Sequence, residues 1–270
     1  MLGKQTIEKN LELVFSNHLP SSVHQHKVRI VSGVKLLPST IALYKLYSTW
    51  PIYLREHWPN TQKEILPLLQ HLRYQFLIKL NGNAVGYYAT LPLYTDLSQN
   101  VLSNYGYSWA LQASLERNVK QANTLCAIAA VLSPNFKGIG LSRVLVELLK
   151  NTAISFNYKR LIVPVRPTLK SSFPHEDMQT YINRQRDDGQ AFDPWIRAHQ
   201  TGGGIMRNIC HHSICVITKK SRWENWLRHS LNEGDNIIPG GLAPLNISSS
   251  TQLGSYIEPN IWFDYSLSHY

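Results

Sequence analysis

Between Thr124 and Val165 the chain runs through an order that few folds accommodate: apolar segment, glycine loop, amphipathic segment, apolar segment. Thr124 to Leu132 (TLCAIAAVL) carries no charge, so it predicts a central strand buried on both faces. Ser133-Pro134 ends it, and Gly138 and Gly140 follow. Leu141 to Phe156 then repeats apolar residues at helical spacing, at Leu141, Val144, Leu145, Leu148 and Leu149. Arg160 to Val165 (RLIVPV) predicts another short apolar strand. A helix crossing over between two neighbouring strands makes an α/β layer. Upstream, Tyr74 to Leu80 and Ala84 to Leu91 are strand-like runs separated by Asn81-Gly82-Asn83. Asn-Gly supplies the positive-φ positions of a tight turn, which predicts an antiparallel hairpin.

The remaining elements are less sharply marked. Lys27 to Val34 reads as a strand, Pro38 opens an amphipathic segment from Ile41 to Trp50, and Thr61 caps a helix running to about His71 despite Pro67. Trp109 to Lys120 reads as partly helical. Beyond Arg166 the elements shorten: helices over Asp177 to Asp187 and from Asp193, strands at Ile205 to Ile209 and Ser213 to Thr218, and a helix at Trp223 to Leu231. From Gly234 to Tyr270 the sequence is turn-rich and sets no firm secondary structure.

Hydrophobic residues make up 43% and charged residues only 16%, which argues for a globular body and against disorder. The segment from Met1 to Ser16 is interrupted by Lys4, Glu8, Lys9 and Glu12, so it lacks the unbroken apolar stretch of a secretory signal. No run approaches the ~20 apolar residues of a membrane span. Cys126, Cys210 and Cys215 are odd in number and have no CxxC spacing; they read as buried reduced thiols, not a zinc site. A cytoplasmic protein is expected. The net charge of +10 points to anionic ligands. The charge is dispersed, with its densest groups at Lys219-Lys220-Ser221-Arg222 and Arg184-Gln185-Arg186, and so gives no nucleic-acid-binding stripe.

A glycine loop leading into a helix has a specific chemical use. The first amides of a helix have no internal partners, the helix dipole favours negative charge there, and glycine lets backbone approach a phosphate closely. The loop is not a P-loop, because no Gly-Lys-Ser/Thr triplet follows, and the dinucleotide fingerprint GxGxxG is absent. Lys137-Gly138-Ile139-Gly140-Leu141-Ser142 resembles motif A of the GNAT acyltransferase superfamily, Q/R-x-x-G-x-G/A, with Pro134 as the proline three residues upstream. Lys137 replaces Gln/Arg and keeps the positive charge; Ser142 replaces the final Gly/Ala and stays small. The hairpin, strand, helix and strand order matches that family from about residue 28 to 165.

The resemblance implies a GNAT fold of the α/β (α+β) class. Such a fold has a mixed, mostly antiparallel central sheet, the fourth and fifth strands splayed around the cofactor, and helices on both faces. It implies an acyl-CoA co-substrate, acetyl-CoA or longer-chain, and no metal. Carried over by position, Val131, Leu132 and Ser133 flank the pantetheine arm, and Lys137, Gly138, Ile139, Gly140, Leu141 and Ser142 hold the pyrophosphate. The corresponding division is an N-terminal segment over 1–27, a core over 28–218 with an insertion around 166–203, and a C-terminal extension over 219–270 packing on the core. Arg166-Pro167-Thr168, Asp193-Pro194-Trp195-Ile196-Arg197-Ala198-His199 and Glu258-Pro259-Asn260-Ile261-Trp262 resemble a subgroup with long extensions. That subgroup includes the GNAT-like loading domains of polyketide synthases and stand-alone proteins.

Acyl transfer needs a proton acceptor for the amine, an acid for the thiolate and donors to the developing oxyanion. The fourth strand holds no carboxylate between Leu125 and Leu132, which moves the proton-transfer role elsewhere or leaves it to water. His199 is the first candidate, beside Trp195 and Ile196 on one helical face. A buried structural histidine is the alternative. Thr168 is its expected partner, since a threonine and a histidine act together in the loading domains; a turn cap is its alternative role. Arg166 and Trp195 are candidate substrate contacts, with an ion pair the alternative for Arg166. Asp193 reads as a helix N-cap. His211-His212 cannot share one ion, because adjacent strand residues point to opposite faces. His175-Glu176, Tyr265 and Tyr270 are weaker candidates, and Asn246-Ile247-Ser248 is a sequon without meaning in a cytoplasmic chain.

The leading functional expectation is therefore an N-acyltransferase, moving an acetyl or longer fatty acyl group from a CoA thioester to the amine of a small molecule or peptide, as in natural-product biosynthesis. Decarboxylation or S-acyl transfer of the loading-domain type is the second, and a non-catalytic CoA- or peptide-binding protein the third. No nucleic acid partner is expected. Acceptor, chain length and oligomeric state are not legible.

Overall fold

The computed structural model describes residues 4–19, 26–35, 46, 48–57, 62–136 and 140–267. In chain order the first half comprises α1 (Lys4–His18), β1 (Val28–Ser32), α2 (Ile52–His57), α3 (Gln62–Gln70), β2 (Gln75–Leu80), β3 (Asn83–Leu93), α4 (Gly106–Ala113) and β4 (Thr124–Leu132). After the glycine loop come α5 (Leu141–Ser155), β5 (Arg160–Val165), α6 (Met178–Ile182), α7 (Pro194–Thr201), β6 (Ile205–Lys219), α8 (Lys220–Leu227), β7 (Gly234–Asn236), β8 (Leu245–Ser248) and β9 (Leu253–Ser266). β4 and β5 have the bounds that their apolar runs set.

These strands form one mixed sheet in the order β1-β2-β3-β4-β5-β9-β8-β7, with β6 paired to β9 off that path. β4 and β5 are its parallel pair and the other pairings are antiparallel. Leu80 and Asn83 are partners across β2 and β3, and Asn81 and Gly82 between them have φ of 48° and 85°. That is the two-residue turn that matches the right-handed twist of a hairpin.

One face of the sheet packs on α1, α5 and α7. There Leu141, Val144, Leu145, Val146, Leu148 and Leu149 of α5 join Leu11 and Phe15 of α1 and Ile196 and Ala198 of α7 in a continuous core. Each buried Leu, Val or Phe side chain stabilises by about 1.5–3 kcal/mol. The opposite face packs on α4 through Tyr107, Ala110 and Leu111. A third cluster, around Trp223, Tyr53 and Tyr256, joins α2 and α8 to β6, β8 and β9. Trp223 lies 5.4 Å from Tyr53 and 5.2 Å from Trp226, ring centre to ring centre, and its Nε1–H donates to the Gly254 carbonyl.

Several sequence expectations are corrected. The strands at 205–209 and 213–218 are one strand, β6, whose register breaks between Met206 and Ile209 and between Cys210 and Ile214. Such irregularities erase the two-residue period on which a strand is recognised. The helix expected over 177–187 is only α6, capped by Asp177. The helix expected at 223–231 is α8, which starts at Lys220 and is ended by Arg228 at φ 63°. Helix α4 starts earlier than Trp109 and ends at Ala113. The turn-rich stretch after Gly234 holds three strands, one of them β9. Residues 41–45 and 47 of the amphipathic segment and the expected cap Thr61 lie outside the described residues. Cys126 and Cys210 are buried, but Cys215 is only half-buried. Among the described residues no helix is long and apolar enough to cross a membrane.

Candidate active site

β4 and β5 are paired only over residues 124–126 against 160–162. Beyond that point β4 stays with β3 to Leu132, while β5 stays with β9 to Val165. The two strands part, and neither gives the other a ladder partner. A cavity of about 870 Å³ occupies the gap, lined by residues 127–132 of β4 and 163–165 of β5. Ala127 belongs to the α5-side core and Ile128 and Val131 to the α4-side core, so the cavity passes through the plane of the sheet.

One end of the cavity is the N-terminus of α5. Gly140 is the N-cap, in the left-handed region at φ 80°. An L side chain is strained there, by about 1–2 kcal/mol. Gly140, Leu141, Ser142 and Arg143 line this end. The outward amides of the first turn and the helix dipole make it an anion-binding position, and Arg143, which the sequence reading did not single out, adds a cation. Lys137, Gly138 and Ile139 lie outside the described residues. Val131 and Leu132 line the gap as expected. Ser133 is not among the lining residues; its N–H donates to the Val85 carbonyl at 2.8 Å, extending the β3–β4 pairing.

A second wall is organised by one buried carboxylate. Asp193 is 1% exposed, and its Oδ1 accepts from the Trp195 and Ile196 amides, the N-cap that the sequence predicts. Its Oδ2 accepts from the Leu169 amide at 2.8 Å and from the Tyr181 hydroxyl at 2.9 Å. The turn that follows β5 is thereby tied to the start of α7. Thr168, exposed on that turn, and Trp195 and His199 of α7 line the same cavity.

His199 is 2% exposed and stacks on Phe263, with ring centres 5.1 Å apart. Its Nδ1 is 2.7 Å from the Tyr265 hydroxyl, which donates to the His199 carbonyl at 3.3 Å. One phenol proton cannot serve both acceptors. Both contacts are satisfied together when Nδ1 carries the proton and donates to Tyr265, which leaves Nε2 as a bare acceptor. Burial pushes the His199 pKa down to about 3. The ring is therefore neutral at physiological pH, and Tyr265 orients it.

On the far side of the cavity Arg166 is a half of an ion pair. Its Nε and Nη2 hold the carboxylate of Glu258 at 2.8 and 3.0 Å, and Nη2 also donates to the Gly240 carbonyl. Glu258 is fully buried and also accepts from Tyr256. Asn260, on the cavity wall, bonds Ser213, whose hydroxyl in turn accepts the Tyr107 amide. Trp50, Tyr107, Ser108 and Ile214 complete that part. The sequence reading missed Trp50, Tyr107, Ser108 and Ile214 because they come from three separated segments with no common motif.

Of the weaker candidates, Tyr265 contacts His199, whereas His175 and Glu176, like His211 and His212, are not among the lining residues. Glu176 pairs with Arg184, and His211 and His212 are exposed where the β6 register breaks. Tyr270 lies outside the described residues. Among the described residues no cluster of His, Cys, Asp or Glu has the makings of a metal site.

Comparison with known proteins agrees with this fold. No protein-family model matches the chain. An arginine N-acetyltransferase of Aspergillus versicolor is 26% identical over 196 residues, covering 64% of this chain and 67% of that one. The GNAT-like loading domain of CurA from Lyngbya majuscula superposes with a TM-score of 0.56 at 16% identity, covering 89% of this chain and 98% of that one. The GNAT-like decarboxylase GphF, solved with isobutyryl-CoA, gives a TM-score of 0.54 at 13% identity, over 90% of this chain and 100% of that one.

Proposed function

From the GNAT fold that this chain adopts, we propose as its function the transfer of an acyl group from a coenzyme A thioester to an amine. The observation that carries the reading is the through-sheet cavity between the parted β4 and β5, ending on the helix N-terminus that Gly140 leads. An extended, amide-bearing arm with a diphosphate at one end is what such a cleft fits. Parted strand edges want hydrogen-bond partners, and a helix N-terminus wants an anion.

In this reading the amides of Leu141 and Ser142, with the Arg143 guanidinium, hold the diphosphate, and Val131 and Leu132 on β4 flank the pantetheine arm. Lys137, Gly138 and Ile139 belong to the same loop. The thioester, when bound, supplies an activated acyl carbon. His199 Nε2 accepts a hydrogen bond or a proton at the reacting centre, and the Thr168 hydroxyl donates one beside it. Trp195 closes the wall around them, and Arg166, held by Glu258, fixes the far wall. The Aspergillus relative is by name an N-acetyltransferase acting on an amino acid, which supports an amine acceptor and an acetyl donor. The residues after Arg166 that build the second wall exceed what a small donor needs, and we include longer acyl chains and peptide or natural-product amines in the proposal.

The test is acyl transfer measured as thiol release and product mass, with C2 to C16 acyl-CoAs and a panel of amines. Acylated amine, with a donor preference set by chain length, is the expected result. Tight CoA binding without turnover of any amine would leave a binding protein instead.

Thr168 and His199 lining one cavity favour a second reading, decarboxylation, the activity the name of one structural neighbour carries, with a malonyl-type thioester as the substrate proposed here. Release of CO₂ from malonyl-CoA, lost in Thr168→Ala and His199→Ala, would support it; no release would remove it.

A further inference from the structure

Where the α4-side core meets the Trp223 cluster, the cavity is walled by Trp50, Pro51, Leu54, Tyr107, Ile214 and Val216. Among the described residues, the ionisable side chains of fixed charge that line any part of it are Arg143, Arg166 and Arg197, all cations. The chain has 17 Asp and Glu, and none belongs to the segments outside the described residues. Leaving aside Glu64, whose side chain is not described, none of them lines the cavity.

The carboxylates nearest the walls are already engaged by other groups. Glu258 is held by Arg166 and Tyr256, Asp193 by three amides and Tyr181, and Asp264 by Arg160 and Arg207. A guanidinium or a second ammonium entering this space would lose its hydration with no carboxylate on the described walls to replace it. An uncompensated buried charge costs several kcal/mol. Cation–π contact with the faces of Trp50 and Tyr107 returns about 2 kcal/mol each in a desolvated site, which offsets only part of that cost.

We infer that the acceptor of this chain is an amine borne on an uncharged aromatic or aliphatic body, bound as the free amine, and not a cationic amino acid. This rests on the acyltransferase reading above and names its acceptor class. In the step, the nitrogen lone pair forms the C–N bond to the acyl carbon, and the C–S bond breaks with its electron pair on sulfur. The proton shed by nitrogen ends on that sulfur as the thiol. Desolvation favours the neutral amine that this step requires.

Initial rates from acetyl-CoA with 2-phenylethylamine and with L-arginine, each product identified by mass, test the inference on the whole protein. The expected kcat/KM is roughly tenfold or more higher for 2-phenylethylamine. A kcat/KM for arginine equal or higher would overturn the acceptor class and leave the acyltransferase reading standing. Calorimetric binding of CoA with no amine of the wider panel acylated would overturn both. A second arm places a carboxylate on the wall at Ser108, an exposed lining position. Ser108→Asp should shift the ratio several-fold toward arginine, and an unmoved ratio would overturn the electrostatic cause.

Discussion

With its ring stacked on Phe263 and its Nδ1 against Tyr265, His199 takes up a proton only near pH 3, because burial disfavours the charged ring. Two consequences follow at this scale. The rate of acyl transfer should show no acidic limb near pH 6.5 from this residue, the ordinary histidine value. Stability behaves differently. The unfolded chain binds a proton at His199 below about pH 6.5 and the folded chain does not until about pH 3, so the unfolded state gains as pH falls through that window. Between pH 7.5 and 5 the fold should lose about 2 kcal/mol through His199, read as a falling Tm that His199→Gln largely flattens. Tyr265→Phe should keep the ring buried but free its tautomer, exposing a donor at Nε2 in part of the population. A fall in kcat of about tenfold with an unchanged KM for CoA is expected, since an orienting group acts on the chemical step alone. The N-cap role of Asp193 was legible because Asp-Pro before a helical pattern is a local signal. The role of Tyr265 was not, since it meets His199 across 66 positions of sequence.

Elements decide where these residues meet. Asp193 accepts from the turn after β5 and from the first turn of α7 at once, so one carboxylate sets the separation of Thr168 and His199. Asp193→Ala strands three amides and a phenol, and should cost about 2–4 kcal/mol by urea denaturation while lowering kcat. Gly140→Val acts at the other end. A β-branched residue at φ 80° distorts the start of α5, which should raise the KM for CoA several-fold with little change in kcat at saturation. The pair β4 and β5 was read from sequence with correct bounds because both runs are apolar and end at proline or charge. β9 escaped notice because Pro259, Asn260 and Asp264 interrupt its alternation. Those polar residues sit there for tertiary reasons, Asp264 to hold Arg160 and Arg207 and Asn260 to hold Ser213. Periodicity has no means of registering either.

Across the whole molecule, β9 lies between β5 and β8 and also carries β6, so a strand from the last part of the chain holds the sheet's two halves together. Arg160 and Asp264, 4% and 5% exposed, form a two-point ion pair across the β5–β9 ladder. Removing one partner leaves a buried uncompensated charge, so Asp264→Ala should destabilise by about 3–5 kcal/mol, read as a lowered urea midpoint. The same placement has a consequence for how the protein comes into being. During synthesis the first eight strands emerge before β9, and the outer edge of β5, one wall of the cavity, has no partner until it arrives. A nascent chain is thus exposed at that edge for the time the ribosome needs to translate the stretch from Val165 to Ser266. Chaperone capture or mispairing at β5 is to be expected in that interval, and the cleft takes its shape only once β9 has emerged and paired.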